Sequence, residues 1–338
     1  MARVFVLGAG ASRFSGYPLG NELWQFLQRW KTSEMGGAER DKRVTAAIEK
    51  IGRAVGRQEV FENLEELVTF LDLAVAGADP LGVQKLNWAR ERPGLIGMIA
   101  DAFMWYEYCL QNEIVEGKKG FVPGIDVGAV QRTLDAWTGA VRPGDVVITF
   151  NWDILHDTAL WRAGKWDYSD GYGFRGPEVG SRGASRILLL KLHGSVNWAQ
   201  NDESDMEPAL QHTRDFFGTP GDSDQYLKAA GQRDRGRPLV LPTYLKDLSS
   251  NRLLLSLWTR AEASLVEAEE VIVIGFGLQP ADALARYLLG SSLLRNRNVD
   301  SVAVVAPRGG ATHWWRFCTG VGKEARFLNQ AFEDWVLA

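Results

Sequence analysis

A doubly wound α/β fold on a mainly parallel sheet, carrying a large helical insertion, is what this sequence predicts. Short apolar runs recur at 4–7, 146–150, 187–192, 271–274 and 301–305. They are nearly continuous rather than alternating, the pattern of strands buried on both faces. Helical periodicity fills the stretches between them, and most runs end in glycine or small polar residues. Strand, turn and helix in regular succession give a parallel sheet with helices on both faces.

The first run, Val4-Phe5-Val6-Leu7, passes into Gly8-Ala9-Gly10-Ala11-Ser12. A helix is predicted directly after this turn, from about Leu19, with Leu23, Trp24, Phe26, Leu27 and Trp30 on its apolar face. Pro18 suits the first turn of that helix, since proline fixes φ and a first-turn amide needs no partner. The two glycines allow either a tight turn or a backbone cradle for an anion, and Arg13 stands where the third glycine of a dinucleotide fingerprint would fall. These residues alone leave both readings open.

Residues 39–119 carry no convincing strand. Helices are predicted over 43–55, 63–76, 81–89 and 95–114, separated by Gly56, by 77–80 and by Arg92-Pro93-Gly94. The chain accordingly divides into a sheet-bearing domain, 1–38 with 120–338, and a helical insertion, 39–119. A helix at 125–140 then leads to the strand 146–150, which ends in Asn151-Trp152-Asp153, and a helix at 154–162 follows. The loop 166–186 has room for a short hairpin, and the strand 187–192 runs into His193-Gly194-Ser195. A polar, glycine-rich excursion covers 201–237. A short strand at 238–242, a helix at 253–268, the strand 271–274 with Gly275-Phe276-Gly277, a helix at 281–294, the strand 301–305 and a closing helix at 329–335 complete the reading.

Composition narrows the function. Across 338 residues, 38 Lys and Arg stand against 42 Asp and Glu, so there is no basic footprint for a nucleic-acid backbone. Cys109 and Cys318 are the only cysteines, which precludes a four-cysteine zinc site and a disulfide framework. Neither a signal peptide nor an apolar run of membrane-spanning length is readable, so a cytoplasmic location without membrane association is expected. Thirteen tryptophans are read first as core and interface packing, and with the helical insertion they suit self-association.

In a doubly wound sheet the ligand crevice lies at the carboxyl ends of the strands. The segments 8–12, 151–153, 193–195 and 275–277 all fall there. Asn151 and Asp153 suit either a polar site or the N-cap of the following helix. His193 suits either a general base, its ordinary pKa lying nearest neutrality, or a satisfied core position. Asp153, His156 and Asp157 have a spacing that could hold a metal on one helix face, but no further ligand cluster accompanies them, and no metal is expected. Ser195 lacks the G-x-S-x-G frame of a hydrolase nucleophile.

The ordered set Gly8-Ala9-Gly10-Ala11-Ser12, Thr149-Phe150-Asn151-Trp152-Asp153, Leu192-His193-Gly194-Ser195 and Gly275-Phe276-Gly277-Leu278 resembles the four signatures of the sirtuin superfamily, a Rossmann-like fold. The chain departs from the protein-deacylating members: it cannot build their zinc ribbon, Leu19-Gly20-Asn21 replaces their Asp-Phe-Arg segment, and Phe150 replaces the Gln before the strand-end Asn. It is more similar to the zinc-free bacterial branch, many of whose members resemble NAD-cleaving effectors of phage defence. Leu241-Pro242-Thr243-Tyr244-Leu245-Lys246 before a Trp258-bearing helix, and Asp282 after the last signature, are shared with that branch.

The resemblance implies an NAD+ glycohydrolase that yields nicotinamide and ADP-ribose, with NAD as substrate and no zinc. It implies catalytic roles for Asn151, His193 and Asp153. It places NAD against Gly8, Ala9, Gly10, Ala11, Ser12, Pro18, Thr149, Phe150, Trp152, Gly194, Ser195, Gly275, Phe276, Gly277, Leu278 and Asp282. The partners implied are NAD+ and either further copies of the chain or a defence-system protein. The alternatives are an NAD-dependent deacylase or ADP-ribosyltransferase, and a non-catalytic module that senses NAD or ADP-ribose.

Overall fold

The computed structural model describes residues 3–33, 39–55, 64–75, 88–111, 124–174, 184–198, 239–241, 243, 246, 248, 251–279, 282–307 and 311–338. Six strands form one sheet: β1 (Arg3–Leu7), β2 (Val146–Thr149), β3 (Leu188–Lys191), β4 (Glu270–Ile274), β5 (Ser301–Val305) and β6 (Glu324–Leu328). Their order is β3-β2-β1-β4-β5-β6 and every pairing is parallel. This is the doubly wound α/β order of a Rossmann-like fold. The apolar runs are central because burial on both faces admits no polar alternation; Val4, Phe5, Val6 and Leu7 are fully buried.

Helices α1 (Leu23–Thr32), α2 (Glu39–Val55), α3 (Leu64–Val75), α4 (Trp88–Gln111), α5 (Val127–Ala140) and α6 (Leu155–Arg162) precede β3. After it come α7 (Arg252–Glu267), α8 (Ala283–Arg295), α9 (Ala311–Gly320) and α10 (Phe332–Leu337). Asp126 and Asn251 cap α5 and α7 by accepting the amides of Ala129 and Leu254, as short polar side chains do at helix starts. One apolar core surrounds the sheet. A second joins α1 to α4 with Ile154, Leu155, Val196 and Leu241, residues that follow β2 and β3. The helical layer is therefore packed onto the loops at the carboxyl ends of those strands.

Several expectations are corrected. The helix expected from about Leu19 opens as a 3-10 turn at Gly20–Glu22 and becomes α1 only at Leu23, and two short 3-10 turns, Ala9–Ala11 and Arg13–Ser15, separate it from the glycine turn. Gly16 at φ 89° ends the second turn in the left-handed region, and Pro18 offers no amide to continue it. Helix α4 runs straight through Pro93, expected as a break, because its buried face continues on both sides with Trp88, Glu91, Leu95 and Met98. Residues 239–241 form no strand, although the Val240 amide donates to the His193 carbonyl. No hairpin occurs among the described residues of 166–186. Helix α9 and strand β6 were not anticipated. The excursion at 201–237 and the segment 81–87 lie outside the described residues.

Candidate active site

The carboxyl ends of β3, β2, β1 and β4 are consecutive in the sheet, so the four segments that follow them lie side by side. The topological switch point falls between β1 and β4, where open α/β sheets bind ligands. Here the turn after β1 packs directly on the turn after β4. The Gly8 and Gly10 amides donate to the carbonyls of Ile274 and Gly275, both at 3.0 Å. A Cβ on Gly8 would stand 2.6 Å from the Phe276 Cα, and one on Gly275, at φ +62°, 2.3 Å from the Ala11 amide nitrogen. This backbone contact alone requires glycine at these positions. The amides of Ala11 and Ser12 donate to the carbonyls of Gly8 and Ala9. A helix N-terminus with several outward amides is thus absent, and Ala9, Gly10, Gly275 and Gly277 are the parts of the two turns that reach solvent. Buried Leu278 holds φ 49°, a left-handed conformation that is uncommon for a non-glycine residue.

The end of β2 is knitted to the glycine turn by side chains. Asn151 Nδ2 donates to the Gly8 carbonyl at 2.9 Å and to Ser12 Oγ at 3.2 Å. Ser12 Oγ in turn donates to Asp153 Oδ2 at 3.0 Å. The Asn151 amide donates to Thr149 Oγ1 at 3.1 Å, and Asp153 Oδ1 accepts the Leu155 amide at 3.2 Å, at the start of α6. Asp153 therefore braces the entry to the helix, whose N-cap is Ile154, and anchors Ser12. Burial pushes its carboxyl pKa up, against the pull of nearby Lys191 and the Ser12 hydrogen bond. With both Nδ2 protons of Asn151 committed, its Oδ1 is the remaining polar atom, an acceptor.

His193 follows β3 and is 7% exposed. Phe150 meets its ring edge to face at 5.1 Å, and Trp258, whose indole donates to the Leu192 carbonyl, lies 6.5 Å away. Phe150 also stacks on Phe276 at 4.6 Å, linking the ends of β2 and β4. Burial, then the Lys246 ammonium, push the His193 pKa well below its ordinary value, while a hydrogen bond to the Phe150 carbonyl acts the other way. The balance favours the neutral ring. Its Nε2 is buried without a hydrogen-bond partner among the described residues. Asp282 Oδ1 stands 3.7 Å from it and is ion-paired with Lys246.

The remaining predicted residues support this frame. Trp152 Nε1 donates to the Val240 carbonyl at 3.2 Å, Gly194 turns at φ 79°, and fully buried Ser195 faces the Trp152 carbonyl at 3.5 Å. Pro18 is half-buried and follows Tyr17, which packs on Phe103 and Tyr106 of α4 in the helical layer's core. Asp153, His156 and Asp157 point three ways: to Ser12, to the Ala11 carbonyl, and to Lys191 with Tyr172. Among the described residues no group of three or more His, Cys, Asp or Glu side chains is arranged to hold a metal. No described helix is long and apolar enough to cross a membrane.

Three features were missed. Lys191, fully buried, pairs with Asp157 at 3.1 Å, and Tyr172 donates to the same carboxylate at 2.6 Å. The signal was a lysine inside an apolar strand, where a buried charge needs a partner. Glu107 of α4 is buried and accepts from the Tyr17 hydroxyl at 2.8 Å, its pKa pushed up by burial and by nearby Asp153. Lys246 was noted only as part of a motif. Neither Glu107 nor Lys246 was legible, because both arrive from segments distant in sequence.

No protein-family model matches the chain, and no curated protein shows significant similarity to it.

Proposed function

We propose that this chain is an NAD+ glycohydrolase of sirtuin-like type, independent of zinc, acting at the edge formed by β3, β2, β1 and β4. One observation carries the reading: a rigidly held Asn151 and a neutral His193 with an unpartnered Nε2 stand on adjacent strand ends, next to the paired glycine turns. Bond cleavage between nicotinamide and ribose passes through an oxocarbenium-like state and needs a positioned water and a base. Asn151 Oδ1 would accept a hydrogen bond from that water. Water oxygen bonds to C1′, the C–N bond breaks with its electron pair leaving on nicotinamide, and the water proton passes to His193 Nε2.

The resemblance of the four motifs supports NAD as the substrate, and phage defence as the setting, with further copies of the chain or a defence protein as partner. The pyrophosphate would meet the half-buried Ala9 and Gly10 and the exposed Gly277. The buried Asp153 would hold Ser12, and through it Asn151, rather than touch the reacting atoms. The test is nicotinamide release from NAD by the purified chain, with and without acylated peptide, beside Asn151→Ala and His193→Ala. Release without peptide that both substitutions abolish supports the reading. Release only with peptide favours the deacylase, and NAD that stabilises the protein without being cleaved favours the sensor.

A further inference from the structure

The edge carries a charged pair whose geometry has a consequence for His193. The Asp282 carboxylate, at the N-cap of α8, is close enough to the histidine to draw a proton onto Nε2, at 3.7 Å. An opposite charge at that range normally stabilises the protonated imidazole. Lys246 instead claims the same carboxylate in an ion pair, with only 4% of its side chain exposed. Burial lowers the lysine's pKa to about 8, with Glu65 of α3 opposing it in favour of the charged form, and α3 also meets this segment where the Thr69 and Thr243 hydroxyls bond at 3.2 Å. Glu65 in turn feels Glu66 and Lys246. Among the described residues the other groups packed on the imidazole are aromatic, Phe150 and Trp258, which bring no charge.

We propose that Lys246 is a positioning residue: by engaging Asp282 it keeps that carboxylate from stabilising a protonated His193, and so leaves Nε2 a proton acceptor. The role of that acceptor rests on the glycohydrolase reading, whereas the charge relay among Lys246, Asp282 and His193 does not. The helical layer contributes to the site through this relay, because Thr69 and Glu65 of α3 fix the segment bearing Lys246.

The test is an NMR pH titration of the full chain with ring-labelled histidine, only four of which must be resolved, His193 being assigned by its loss in His193→Gln. In the wild type His193 titrates well below the ordinary ~6.5. Lys246→Met frees Asp282 and moves the midpoint up by roughly two pH units. Lys246→Met combined with Asp282→Asn brings it back down, and Lys246→Arg keeps the wild-type value, which a packing defect would not do. Lys246→Gln replaces the methionine variant should that fail to fold. A wild-type midpoint at or above ~6.5 overturns the proposal, as does an unchanged midpoint in Lys246→Met or Lys246→Gln. The readout needs no NAD, so absent NAD cleavage would sink the glycohydrolase reading and leave this one judged by its own titration. Where cleavage occurs, the acid limb of the pH profile moves up together with the midpoint.

Discussion

Acid should destabilise this protein through His156, and the size of the effect follows from its surroundings. The ring is 2% exposed, lies between Trp137 and Phe332, and donates from Nε2 to the Ala11 carbonyl at 3.2 Å. Nδ1 has no partner among the described residues, so a second ring proton would meet no acceptor. Burial accordingly lowers the pKa from 6.5 to about 4, the Asp157 charge and the Ala11 hydrogen bond opposing it. Below about pH 6.5 the unfolded chain binds a proton that the folded chain refuses, so stability falls as pH falls. The loss is about 1.4 kcal/mol near pH 5.5 and reaches about 3 kcal/mol by pH 4. Buried Asp153 and Glu107 act with the opposite sign, since their raised pKa values make the fold gain relative stability as they protonate. The effect of His156 is therefore read as a difference. Urea unfolding of the wild type and His156→Gln is measured from pH 7.5 to 4; the glutamine can still donate to Ala11. The wild type should lose about 3 kcal/mol relative to the variant across that range. A flat difference, or a wild type that gains relative to the variant on acidification, would refute the reasoning.

Two further outcomes are expected from denaturant melts. Gly275→Ala places a Cβ 2.3 Å from the Ala11 nitrogen at φ +62°, and should cost more than the ~1–2 kcal/mol of a left-handed alanine alone, whereas Gly20→Ala, with nothing within 4 Å, serves as the tolerant control. Lys191→Met strands the Asp157 carboxylate in the core and should cost about 3–5 kcal/mol, with much of the loss recovered in Lys191→Met combined with Asp157→Asn. A single lysine variant as stable as the wild type would show that the pair is not buried as described.

The central sheet was legible because residues buried on both faces must be apolar over the whole strand, as Val271 to Ile274 are. Edge strand β6, Glu-Ala-Arg-Phe-Leu, faces solvent on part of its length, so its composition resembles a loop. Helix α9 carries an apolar face at helical spacing, Trp314, Phe317 and Cys318, but it is short and exposed Trp315 interrupts the pattern. The convergence of strand-end motifs was readable once the runs were taken as parallel strands. What the glycines do was not: their spacing suits a phosphate turn, yet their packing partners are Gly275 and Phe276, far away in the chain. Asn151 and His193 were visible as polar residues ending apolar strands. The placing of Lys246 and α3 beside His193 was not readable, since their segments show a motif and a helix but only the fold brings the charges together.

The most direct test of the glycohydrolase assignment is product analysis after incubation with NAD in water labelled with oxygen-18. The account predicts free nicotinamide and ADP-ribose carrying one heavy oxygen at the ribose carbon that held the base, with no need for peptide or zinc and no product from Asn151→Ala. Intact NAD at every protein concentration, or ADP-ribose transferred to an acceptor other than water, would contradict it.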